Sequence, residues 1–355
     1  MKSAVFITII VFFLVTTHTV FAQELKEGWE KLKPMPTPRS EVVAIAIGEK
    51  IYVVGGFDKF GKATDVVEVF DTKSNSWSST VLMPLALHHV AAAAHNGKLY
   101  VVGGYKDGWI ASNFLFIYDP TNDQWKKGKD MPTSRGALTV QFIDGFLYAV
   151  GGADHVTYSV NEVYNSLTDT WEKKRMMPTP REHLASAVTD GKMYVIGGRQ
   201  GSLSTNLATN EAYDPKSDTW LTLEPMPTPR GGLTASTLNG TILVFGGEST
   251  AGTFEQNEQY VPEKGWFTHL SMPTPRHGLG SATVGDRIYV IGGGAVPGLS
   301  VSGVNEAYFN YNIIPEFPIM IFVLGVSFVS AIIFYKKFRS SVSSQNIQNP
   351  IWNIF

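Results

Sequence analysis

The chain has 355 residues, a net charge of −2, 34 glycines, 19 prolines, 12% aromatics and no cysteine. That length fits one large domain or two ordinary ones, and a near-neutral chain without a basic stripe sets nucleic acid aside as a partner. The missing cysteine excludes disulfides, thiolate metal sites and cysteine nucleophiles, while the glycine, proline and aromatic content fits many short strands joined by turns.

In chain order, Lys2 is followed by the apolar run Ala4–Val15 and then by Val20-Phe21-Ala22. A charged start, a short apolar stretch and small residues at −3 and −1 predict a signal peptide over 1–22, cut after Ala22; an uncleaved anchor is the alternative.

From Trp29 onward the chain is periodic. Gly-Gly pairs begin at Gly55, Gly103, Gly151, Gly197, Gly246 and Gly292, and tryptophans stand at Trp29, Trp77, Trp125, Trp171, Trp220 and Trp266. Every one of these tryptophans precedes its Gly-Gly by 26 residues, whereas the next interval varies from 20 to 23. Between them recurs MPTPR, at Met35–Arg39, Met177–Arg181, Met226–Arg230 and Met272–Arg276, with MPTSR at Met131–Arg135 and MPLAL at Met83–Leu87. Within a unit, an apolar β-rich run such as Glu41–Ile47 leads through a tight turn to Lys50–Val54. Later copies of the turn are Asn96-Gly97, Asp144-Gly145, Asp190-Gly191 and Asn239-Gly240, which tolerate φ > 0 at both positions. A third strand carries Phe70, Tyr118, Tyr164, Tyr213, Tyr260 or Tyr308, and a fourth starts at the tryptophan. Four strands every ~50 residues predict an all-β propeller.

The Arg-led first strand, Tyr-Val-x-Gly-Gly, Asn-Glu-x-Tyr and Trp resemble the kelch repeat, six times over from Trp29 to about Tyr311. Trp29 opens a fourth strand with no first three before it, and Val304–Asn310 is a third strand with no fourth after it. A six-bladed kelch β-propeller over 23–312, closed by its N-terminal outer strand, is therefore expected, and closure removes exposed sheet edges. MPTPR is then the crossing from one blade to the next.

The crossings and the 2–3 loops share one face in such a meander, and the 2–3 loops take the length variation. Binding is expected there, through Trp109, Tyr105, Phe57, Tyr158, Arg199 and Glu248. Trp109 stands outside the repeat register. In kelch proteins the arginine of the crossing often meets an acidic ligand. Here Glu68, Glu162, Glu211, Glu258 and Glu306 lie two residues before the third-strand aromatic, and the one unit with Leu87 for Arg has Phe116 for Glu. The expectation is a structural pair in five blades: Arg39–Glu68, Arg135–Glu162, Arg181–Glu211, Arg230–Glu258 and Arg276–Glu306. His88, His89, His183 and His277 follow the crossing and edge the channel. They come from separate blades without a repeated carboxylate partner, so no metal is expected, and no cofactor either. Asn239-Gly240-Thr241 is a glycosylation candidate in a 1–2 turn.

After the repeats, Pro315-Glu316-Phe317-Pro318 precedes the uncharged run Ile319–Tyr335 and then Lys336, Lys337 and Arg339. Length and the trailing basic cluster predict a transmembrane helix over 319–335 with the propeller outside the cell. The 313–318 linker resembles the archaeal PEF-type sorting signal, which implies export and surface anchoring. The 336–355 tail is longer than in that family, which leaves cleavage open. The expected function is a cell-surface, non-enzymatic protein- or glycan-binding module. The alternative is an exported sugar-acting enzyme resembling the six-bladed sialic-acid mutarotases, with His155, Glu182, His183 or Glu248 as acid/base groups. A purely structural envelope component is a third reading. Kelch-scaffold oxidases carry copper with a Tyr–Cys crosslink, which a chain without cysteine cannot form.

Overall fold

The third repeat shows how the sequence makes a blade. Asp144 and Gly145 adopt φ of 50° and 84°, folding Thr139–Ile143 back on Phe146–Val150; Asn161–Asn165 and Thr170–Lys173 complete an antiparallel sheet of four. Phe146–Val150 is apolar without alternation because neighbouring blades cover both its faces, and all but its first residue are buried. Thr170–Lys173 lies on the outer rim and is mostly exposed. The computed structural model describes residues 27–310. Within them this sheet is built six times.

The six blades begin with the inner strands Val43–Ile47, Ala91–His95, Thr139–Ile143, Ala185–Thr189, Thr234–Leu238 and Gly280–Val284. They are numbered 1 to 6 in that order. In blade 6 the outer strand is Glu27–Lys31, which pairs with Asn305–Asn310 from Glu27↔Asn310 to Lys31↔Glu306. The expected closure is thus observed. The signal peptide expected over 1–22, the linker expected over 313–318, the transmembrane helix expected over 319–335 and the tail expected over 336–355 lie outside the described residues, among which no helix is long and apolar enough to cross a membrane.

The repeated letters sit at blade interfaces. Each of the six in-register tryptophans donates its indole N–H to a carbonyl of the preceding blade's crossing, as Trp171 does to Lys129 O (2.8 Å) and Trp29 to Leu270 O (3.0 Å). Each Gly-Gly brings its second N–H to the carbonyl at the end of the next crossing. These bonds run from Gly56 to Leu87 (2.9 Å), Gly104 to Arg135 (3.0 Å) and onward to Gly293 and Arg39 (2.8 Å), where the circle closes. The crossing methionines are buried plugs, between 0% and 2% exposed.

At the outer rim, Tyr164 donates to Asp169 Oδ1 (2.7 Å), which also accepts Lys129 N–H from blade 2 (2.8 Å). Asp123 likewise accepts from Thr80 and from Tyr118. The Lys129 bond, then the Tyr164 hydroxyl, hold Asp169 below the usual carboxylate range; the Thr80 and Tyr118 hydroxyls do so for Asp123. A depressed folded-state pKa gives stability that is complete above the unfolded value of about 3.9 and is lost as pH falls through the folded values. We expect the melting temperature to drop below about pH 4, and Asp169→Asn to lower it near neutrality and to flatten that slope. An equal slope in the variant would exclude this carboxylate as a contributor.

Candidate functional site

The crossing does more than connect. In blade 3, Arg135 Nη1 meets Glu162 Oε2 at 2.6 Å and Nη2 donates to Ala149 O at 3.0 Å, while Thr133 Oγ1 donates to the other carboxylate oxygen at 2.7 Å. The same triad recurs as Thr37, Arg39 and Glu68, and in blades 4, 5 and 6. All five arginines are fully buried, and burial pushes their pKa values down against the upward pull of the glutamates. In blade 2 the three positions are Leu85, Leu87 and Phe116, which join an apolar cluster. The threonine had escaped the sequence reading, although its absence in the same copy was the available signal. These arginines are thus engaged inside their own blades through their terminal nitrogens, although the Nε of Arg39, Arg135 and Arg181 has no hydrogen-bond partner.

The two residues after the arginine position build the mouth of the channel. The second of them is Glu41, His89, Ala137, His183, Gly232 or Gly278, and all six are left-handed, with φ between 51° and 66°. Their backbones bond in a circle: His89 N–H to Glu41 O, Ala137 to His89, His183 to Ala137, Gly232 to His183 and Gly278 to Gly232, at 2.9–3.2 Å, closed by Val42 N–H to Gly278 O at 3.3 Å. Below this ring Val42, Val90, Leu138, Leu184, Leu233 and Leu279 form an apolar collar around a space of about 70 Å³. Beyond the collar the inner strands enclose a channel of about 440 Å³, lined by small residues such as Ala44, Ala92, Ser186 and Ser236.

Convergence at this ring is where the sequence reading fails. His89 Nε2 lies 3.2 Å from Glu41 Oε2, the His89 and His183 rings are 4.7 Å apart, and one ligand atom each of Glu41, His89 and His183 falls within 4.8 Å of the others. Glu41, Glu248 and His277 meet the same limit. Equivalent positions 46–49 residues apart in a chain are neighbours when a ring closes around an axis. The argument that ligands from separate blades do not converge is therefore corrected. Burial raises the Glu41 carboxyl to about 7 and pushes His89 and His183 well below the ordinary imidazole value; it lowers His88 to about 4.

Of the expected ligand-contact residues, Trp109 is 52% exposed and Tyr158 half-buried, but Phe57, Tyr105 and Glu248 are buried. The residue after Gly-Gly is bridged to the residue after the crossing, in Ser40↔Phe57, His88↔Tyr105 and Gly231↔Glu248. It is the inner shelf of the mouth and the loop begins one residue later. Phe57 stacks on His88 at 3.9 Å, Tyr105 donates to Ala153 O at 2.8 Å, and Trp109 leans over both histidines, 4.9 Å from His88 and 5.3 Å from His89. Arg199 is drawn inward as well, with Nε 3.1 Å from Glu182 Oε1 and Nη1 2.8 Å from Glu248 Oε1. Of the acid/base candidates, Glu182, His183 and Glu248 share this cluster, while the exposed His155 stands apart beside Asp154. Asn239 is exposed in its turn.

Comparison with known proteins agrees with the fold. The KLHDC2/KLHL20/DRC7 Kelch-repeats domain model matches residues 11–198 and the Kelch motif model residues 180–227. Kelch-like protein 21 of Danio rerio is 42% identical over 53 residues, which is 15% of this chain and 9% of that protein, so the match spans under a tenth of that relative. With more than half of its 355 residues under the first model and six blades in the ring, the chain belongs to the Kelch-repeat domain family.

Proposed function

We propose that this chain is a non-enzymatic binding module that holds a protein partner on the loop face of its propeller. Display outside the cell is part of the proposal and is supported by the leader-like sequence over 1–22 and the uncharged run Ile319–Tyr335. The observation that carries the reading is an apolar crescent. Six of the thirteen exposed large apolar side chains among the described residues stand in the 2–3 loops of four consecutive blades: Val296 and Leu299 in blade 6, Phe60 in blade 1, Trp109 and Ile110 in blade 2, Val156 in blade 3. Neighbouring loops are tied to each other, Ala63 N–H donating to Asp107 Oδ1 (2.9 Å) and Tyr105 to Ala153. Trp109 sits half exposed at a φ of 59°, a strained conformation for a bulky residue. Exposed apolar side chains gathered on neighbouring loops favour a protein-docking face over ordinary loop decoration, and tryptophan is a frequent energetic anchor. The sugar-enzyme alternative rests on the buried Glu182 and Glu248 and the partly buried His183.

A photo-crosslinking residue at position 60, 109 or 299 of the full chain on intact cells should capture one common partner, and none at positions 146 and 167 on the opposite face. Trp109→Ala should then weaken that partner's binding by about 30-fold. Equal capture from both faces, or a sugar turned over by the purified chain, would reject the reading.

A further inference from the structure

We propose that Glu41, His89 and His183 form a binding site for one divalent transition-metal ion of the zinc type, at the loop-face mouth of the channel. Two imidazoles and one carboxylate, with a fourth position open, are a donor set that zinc accepts. The 3.2 Å from His89 Nε2 to Glu41 Oε2 is close to the roughly 3.3 Å edge of a tetrahedron whose ligands stand about 2.0 Å from the metal. His89 has the outer partner that metal-bound histidines require, and a carboxylate stands beside His183 in the place of one. His89 Nδ1 bonds His88 Nδ1 at 2.6 Å, and His88 is wedged between Phe57 and Tyr105. His183 Nδ1 abuts a carboxylate oxygen of Glu182, which Arg199 holds from the other side.

The choice among the histidines follows from their surroundings. His277 is already engaged by the blade 6 loop, with Nδ1 3.0 Å from Gly294 O and Nε2 2.8 Å from Gly298 O. Three carboxylates, Glu41, Glu182 and Glu248, crowd the mouth against the single guanidinium of Arg199. A dication relieves that imbalance. Small residues leave the room: a Cβ at Gly278 would stand 2.5 Å from Glu41 Oε1. The open position faces the space above the collar.

The test is calorimetric titration of the metal-stripped full chain with Zn²⁺, with Co²⁺ as a spectroscopic substitute. The expected result is one ion per chain and the visible absorption of four-coordinate Co²⁺. Glu41→Gln and His183→Gln should each lose about 100-fold in affinity or more, and Glu182→Gln about 10–100-fold. His277→Gln should stay within a few-fold. Cu²⁺ should quench part of the tryptophan emission, and Trp109→Phe should remove that part. Melting curves without metal confirm that each variant is folded. X-ray absorption on the unmutated zinc-loaded chain, showing two imidazoles or failing to, decides the matter without any variant. No stoichiometric binding, binding that survives in the His89→Gln/His183→Gln double variant, or loss with His277→Gln alone would overturn the assignment.

Discussion

Replacing Glu162 by Ala should destabilise the propeller by about 3–5 kcal/mol, the cost of leaving a buried charge without its partner. The Arg135 guanidinium is wholly enclosed, and without Glu162 it keeps only carbonyl oxygens, those of Thr133 and Ala149 at 3.0 Å each. Thr133 loses its acceptor in the same step. Blade 2 shows how the network can be removed without that loss, because Leu85, Leu87 and Phe116 fill the same three positions with apolar volume. The triple variant Thr133→Leu, Arg135→Leu, Glu162→Phe should therefore recover most of what Glu162→Ala loses, since a fully apolar replacement of a buried ion pair is often neutral. Urea unfolding of the three proteins decides it. A triple variant no more stable than the single one would mean that blade 2 owes its tolerance to its neighbours.

Gly103→Ala should cost about 3 kcal/mol or more, because two penalties coincide. The residue holds φ at 67°, and a Cβ there would stand 2.4 Å from Arg135 O. That oxygen accepts the Gly104 N–H at 3.0 Å, so relieving the clash pulls apart the bond between blades 2 and 3. Gly97 isolates the first penalty. Its φ is 72° with nothing within 4 Å of the added carbon, and Gly97→Ala should cost only about 1 kcal/mol. Equal losses in the two variants would show that backbone conformation, and not the approach of the next blade, dictates glycine.

Why some of this was legible follows from where each signal sits. Trp171 and Gly152 recur at fixed intervals because each makes an interface bond that every blade repeats, and Arg181 because its pair with Glu211 recurs in five of the six blades, so periodicity alone exposes them. The concerted loss of Arg and Glu in blade 2 was legible for the same reason. What stayed hidden was the radial direction. Phe57 and Tyr105 read as loop residues because nothing local distinguishes the inner shelf from the loop tip; a backbone bridge to the neighbouring inner strand makes the difference. His89 and His183 were legible as residues at the channel edge, but Glu41, of another type at the same position in its repeat, was not flagged beside them. Only their shared position, two residues past the crossing arginine, betrays that they face one axis.

The seam in blade 6 bears on how the molecule comes into being. Glu27–Lys31 precedes every other described strand, yet its partner is Asn305–Asn310, the last. A chain made from its N-terminus holds that strand unpaired until some 280 further residues have followed. Five blades can assemble from local hairpins, whereas the sixth is the most non-local contact in the fold, the kind that forms slowly. Until it closes, the third strand of blade 6 offers a bare edge to any passing strand. Completion of the ring is therefore the step at which a misassembled copy, exchanging its first strand with a neighbour, competes with the correct one.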